Sequence, residues 1–68
     1  MQRFVAYYEY QLNGYINVNV WPDDPDAMYP EMWHKKFDGY SLEEVKNIIQ
    51  DKLKQRYNKV KVVWERQH

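Results

Sequence analysis

Residues 4–21 read Phe-Val-Ala-Tyr-Tyr-Glu-Tyr-Gln-Leu-Asn-Gly-Tyr-Ile-Asn-Val-Asn-Val-Trp, and the way this stretch folds back on itself decides the architecture. Phe4, Ala6, Tyr8 and Tyr10 fall on one side of an extended chain, with Arg3, Val5, Tyr7, Glu9 and Gln11 on the other. Ile16, Val18 and Val20 then alternate with Asn17, Asn19 and Trp21. Two strands separated by Asn13-Gly14 predict a hairpin. A two-residue turn at Asn13-Gly14 sets Glu9 opposite Val18 and Gln11 opposite Ile16, mixing polar with apolar. A three-residue loop of Leu12, Asn13 and Gly14, with Gly14 left-handed, pairs Tyr10 with Ile16, Tyr8 with Val18 and Ala6 with Val20. The second arrangement makes one face continuously apolar and is the one expected.

Downstream, Trp21 to Pro30 holds all three prolines, at 22, 25 and 30, together with Asp23, Asp24 and Asp26. Proline lacks the N–H that a sheet or helix interior uses, so a stiff acidic loop is expected there. Met32 to Phe37 alternates as a short third strand, with Trp33, Lys35 and Phe37 on one side and Met32, His34 and Lys36 on the other. Asp38-Gly39 turns the chain into Ser41-Leu42-Glu43-Glu44, a capping box that starts a helix, with Tyr40 and Val45 spaced as its hydrophobic staple. Leu42, Val45, Ile48, Ile49 and Leu53 follow at helical spacing to about Tyr57, and Asn58 suits a left-handed stop. Val60, Val62 and Trp64 alternate with Lys59, Lys61, Val63 and Glu65 as a last strand. The expectation is an α+β fold in one domain, residues 1–68, in the order β-β-β-α-β: a three- to four-stranded antiparallel sheet with one helix on one face. Phe4, Tyr8, Tyr10, Ile16, Val18 and Val20 face that helix. The other face displays Val5, Tyr7, Tyr15, Asn17, Asn19 and Trp21.

Composition narrows the function classes. The chain has one serine, no threonine and no cysteine. Its serine is the expected helix cap, so the usual hydroxyl and thiol nucleophiles are almost absent, and thiolate metal sites and disulfides are excluded. The two histidines, His34 and His68, have no partner at ligand spacing. No catalytic, cofactor or metal residue is therefore assigned, and the chain is read as a non-enzyme. Ten basic residues balance ten acidic ones, but the signs are segregated. Trp21 to Trp33 is purely acidic, whereas Lys52, Lys54, Arg56, Lys59 and Lys61 lie in a stretch without a carboxylate. No apolar run approaches the ~18 residues of a membrane helix, and the start lacks the pattern of a signal peptide. A cytoplasmic protein of a reducing compartment is expected.

Tyr8-Glu9, Gly14-Tyr15 with Val18 and Val20, Pro22-Asp23, and Gly39 followed by Ser41-Leu42-Glu43-Glu44-Val45 resemble the N-terminal domain of HicB-type antitoxins, over roughly residues 4 to 57. In place of that family's Leu-Pro-Gly-Cys stretch stands the longer, more acidic Asp24-Pro25-Asp26-Ala27-Met28-Tyr29-Pro30. The resemblance implies a bacterial or phage protein that binds a toxin or other nuclease and is often dimeric. No helix-turn-helix or ribbon-helix-helix segment is present, so it implies partner binding rather than operator binding.

Twelve aromatic residues make up 18% of the chain. Tyr and Trp combine apolar area with a polar tip, as protein interfaces require. The expected partner-binding set is Tyr7, Trp21, Tyr29 and Trp33 as anchors, with Asp23, Asp24 and Asp26 as a negative surface that occludes a basic partner. Tyr7, Trp21 and Val63 also form a candidate homodimer surface. Two alternatives accompany this expectation: a phage-encoded inhibitor of a host or defence protein, and a nucleic-acid-binding protein using Lys52, Lys54, Arg56, Lys59 and Lys61.

Overall fold

A computed structural model of the chain describes residues 2–23 and 33–67. Strands β1 (Gln2–Tyr10), β2 (Ile16–Pro22) and β3 (Trp33–Phe37) are followed by helix α1 (Leu42–Arg56) and strand β4 (Val60–Arg66). The strands form one sheet in the order β3-β2-β1-β4. Asp24, Asp26, Tyr29 and Met32 lie outside the described residues, so the third strand is seen from Trp33.

The hairpin takes the three-residue loop. Tyr10 pairs with Ile16, Tyr8 with Val18 and Ala6 with Val20. The Gln11 N–H donates to the Tyr15 carbonyl at 2.9 Å, and the Gly14 N–H to the Gln11 carbonyl at 3.0 Å. Gly14 sits at φ +85°, a conformation that costs any residue with a Cβ. Pro22 is the last residue of β2, opposite Phe4. Trp21 and Pro22, expected in the loop, therefore belong to the strand, and Asp23 is the first residue after it.

The sheet is mixed, which corrects the expectation of a purely antiparallel one. β1–β2 and β2–β3 are antiparallel, but β4 runs parallel to β1. Two reversals leave β3 pointing the same way as β1. The 15 residues of α1 then span about 22 Å at 1.5 Å per residue, close to the length of a seven-residue strand, and carry the chain back to where it started. A strand leaving that crossover must run parallel to its neighbour. β4 takes the outer side of β1, leaving β3 as the other edge of the sheet.

The capping box forms as expected. The Ser41 Oγ accepts from the Glu44 N–H at 3.2 Å, and Glu44 Oε1 accepts from the Ser41 N–H at 3.2 Å. Tyr40 is exposed and sets its ring edge-on to Phe37, with centroids 5.9 Å apart. At the other end the cap is Tyr57 in an extended conformation, its N–H donating to the Leu53 carbonyl at 2.7 Å. No non-glycine residue has positive φ among the described residues, so Asn58 does not make the left-handed stop. The extended Tyr57 sends the chain straight towards β4 instead, and its ring meets Phe4 at 5.2 Å.

Val45, Ile49 and Leu53, one helical turn apart, bury against Phe4, Ala6, Ile16, Val18, Val20 and Phe37. Each fully buried aliphatic chain contributes about 1.5–3 kcal/mol over an exposed one. Tyr10 was expected in this layer but is 49% exposed. It is the last residue of β1, where the Tyr8 ring and the Arg66 guanidinium flank it.

Candidate functional site

Because β4 flanks β1, the sheet face turned away from α1 is wider than the hairpin alone. Strand register aligns its side chains in rows. Val5 lies between Val63 and Trp21; Tyr7 lies between Glu65 and Asn19, with His34 beyond; Glu9 sits beside Asn17, with Lys36 beyond. Among the described residues no element covers this face. Val63 is 43% and Trp21 is 36% exposed, and Tyr7, Asn19, Trp21 and Gln67 line a shallow depression. Val5 and Trp21 stand as direct neighbours in an apolar row bordered by polar ones, the layout of an interface centre with a polar rim.

The asparagines and His34 are organised rather than merely solvated. His34 Nε2 is hydrogen-bonded to Asn17 Oδ1, which ties β3 to β2 on the open face. His34 is thus a positioned side chain on the open face. Among the described residues no group of His, Cys, Asp or Glu lies together in the manner of a metal site.

Asp23 follows β2, and its N–H donates to the Arg3 carbonyl at 2.8 Å. This bond holds the start of the acidic stretch beside the Trp21 end of the open face. Asp24, Asp26 and Tyr29 lie outside the described residues. No protein family, curated protein or solved structure matches the chain. What the protein does must therefore be argued from its own side chains. No helix among the described residues is long and apolar enough to cross a membrane.

The aromatic set is divided by the sheet. Tyr7 and Trp21 share the open face, but Trp33 pairs with Val20 and so projects to the helix side. There it lines a groove with Phe4, Val20, Lys52, Leu53, Arg56 and Tyr57. Trp21 and Trp33 therefore cannot anchor one flat partner together.

The basic set is divided too. Lys52 and Arg56 are on that groove, with the Arg56 guanidinium 5.8 Å from the Tyr57 ring centre. Lys59 lies next to Arg56 and Tyr57. Lys54 is exposed elsewhere on α1, and Lys61 belongs to the open face beside Arg3. The sequence groups Val63 with Tyr7 and Trp21, and the pairing of β4 with β1 adds that Val63 stands directly beside Val5. That requires knowing which strand β4 pairs with.

Proposed function

We propose that this protein acts without catalysis, by binding another protein through the uncovered face of its sheet. The observation that carries this is the exposed Trp21–Val5–Val63 row, flanked by Tyr7, on a face that α1 leaves bare. Large aromatic side chains in such a row supply affinity once water is excluded around them. The acidic stretch beginning at Asp23, continued by Asp24 and Asp26, supplies long-range attraction towards a basic surface such as that of a toxin or nuclease. The HicB-like residue pattern supports the same mode of action, and a phage-encoded inhibitor of a host protein would share it.

The test is capture with the tagged protein from its native lysate after nuclease treatment, repeated with Trp21→Ala. A stoichiometric protein retained by the wild type and lost with Trp21→Ala supports the proposal. Once the partner is in hand, Asp23→Asn, Asp24→Asn and Asp26→Asn together should slow association most at low salt, because steering is screened over about 10 Å at 0.1 M. Unchanged association rates would remove the steering role.

One arrangement favours nucleic acid as a competing ligand: Lys52, Arg56 and Lys59 gather around Tyr57. Salt-dependent RNA or DNA binding lost with Lys52→Glu and Lys59→Glu, but untouched by Trp21→Ala, would select it.

A further inference from the structure

β4 is an outer strand of the sheet, seven residues long, with β1 as its single strand neighbour. It carries neither proline nor glycine, and its pairing with β1 continues without a bulge from Val60 to Arg66. The Lys59 carbonyl accepts from the Gln2 N–H, and the Gln67 N–H donates to the Tyr8 carbonyl. Backbone groups alternate in direction along a strand. Those of Lys61, Val63 and Glu65 thus point to β1, and those of Val60, Val62, Trp64 and Arg66 point to the outer edge. Among the described residues nothing covers that edge. Such a row of unpaired N–H and C=O groups is a template for another strand unless something opposes it.

We infer that the occupant is a second copy of this chain, its β4 running antiparallel to the first with the two Val63 residues facing each other across the two-fold axis. On the open face the sequence of the strand, Lys61, Val63 and Glu65, is complementary to its own reverse in this register. Lys61 meets Glu65 of the second copy, and Glu65 meets the second copy's Lys61. On the helix side Val62 meets Trp64 of the other chain. Within one chain neither Lys61 nor Glu65 forms an ion pair with the described residues. Lysine normally guards an edge by repelling a second strand, yet here each lysine is offered a carboxylate.

Moving the axis to Val62 sets Lys61 against Val63, and moving it to Trp64 sets Val63 against Glu65. Of these three registers, only the Val63-centred one sets Lys61 against Glu65 and Val62 against Trp64; at the strand ends it sets Val60 against Arg66. Its central pair is of the non-hydrogen-bonded kind, in which side chains approach most closely. The exposed Val63 is thereby covered by its twin, and the row Trp21–Val5–Val63 continues into its copy. The result joins two four-stranded sheets into one, with both Tyr7–Trp21 surfaces on the same side. This pairing is independent of which partner the open face takes.

Sedimentation velocity on the full chain decides the matter, with circular dichroism to check that each variant is folded. Wild type is expected to sediment as a dimer at about 100 μM, where a micromolar interface is nearly saturated. Lys61→Glu and Glu65→Lys each turn two attractive cross-strand pairs into repulsive ones and should weaken self-association roughly tenfold or more. The double variant Lys61→Glu/Glu65→Lys restores opposite charges and should return the dimer. A wild-type monomer at that concentration overturns the inference, as does a dimer indifferent to both single substitutions.

Discussion

Val5 and Trp21 are direct cross-strand partners on the open side of the sheet, and Val63 stands on the other flank of Val5. Their neighbours Phe4 and Val20, one step along the same strands, are buried beneath α1. A strand pair can thus build a core with one face and an adhesive row with the other, since successive side chains alternate in direction.

Trp21→Ala should separate stability from binding. Trp21 is exposed at the edge of the open row and makes no ring contact among the described residues, so its truncation is expected to cost about 1 kcal/mol or less in urea unfolding. Binding to the captured partner should fall by about 2 kcal/mol or more, roughly 30-fold in Kd, if Trp21 is a central anchor. Calorimetric titration of both variants against the partner reads the difference. Equal affinities would place the interface elsewhere.

At Gly14 the space around the Cα is open: a Cβ built there meets nothing within 4 Å. The cost of Gly14→Ala is therefore conformational, about 1–2 kcal/mol for holding an L-residue at positive φ. Gly14→Asn should cost about half as much, because asparagine tolerates that region. Denaturant midpoints for the two variants check the order. Equal losses would point to a steric cause instead.

Removing the helix cap gives a third measurable effect. Ser41 accepts from the Glu44 N–H, and its hydroxyl also donates to Glu44 Oε1 at 3.1 Å. Ser41→Ala is expected to lose about 1 kcal/mol, roughly 4–8 °C in Tm for a domain of this size. Ser41→Thr should retain most of the stability. Thermal melts followed by circular dichroism test both.

Trp64 offers the opposite case, a polar atom whose removal should be tolerated. Its Nε1 is buried with no hydrogen-bond acceptor among the described residues, while its ring lies near Tyr8 and under the Lys46 ammonium, 5.8 Å from the centroid. A buried unsatisfied donor costs about 1–3 kcal/mol. Trp64→Phe removes that penalty as it removes apolar area, so its net effect is expected within about 1 kcal/mol of zero. Trp64→Ala should cost about 2 kcal/mol or more. Similar losses for both would mean that Nε1 has an acceptor in solution.

Local signals in the sequence determined every element and one register. The alternation around Leu12-Asn13-Gly14 selects the bulged hairpin because the competing turn would set Glu9 against Val18. Ser41 and Glu44 start the helix because a cap is an interaction between residues three apart. These are short-range constraints, readable without knowing what lies across the molecule. Strand order is different in kind. Nothing in the alternation of Val60, Val62 and Trp64 states which edge they join; the length of α1 sets the direction of β4, and its pairing with β1 rather than β3 is seen only in the tertiary structure. That placement sets Val63 beside Val5, puts Trp33 on the side opposite Trp21, and takes Lys61 away from Lys52 and Arg56. Periodicity assigns a side chain to a face of its own strand; which faces of different strands coincide is decided by the pairing of backbones far apart in the chain.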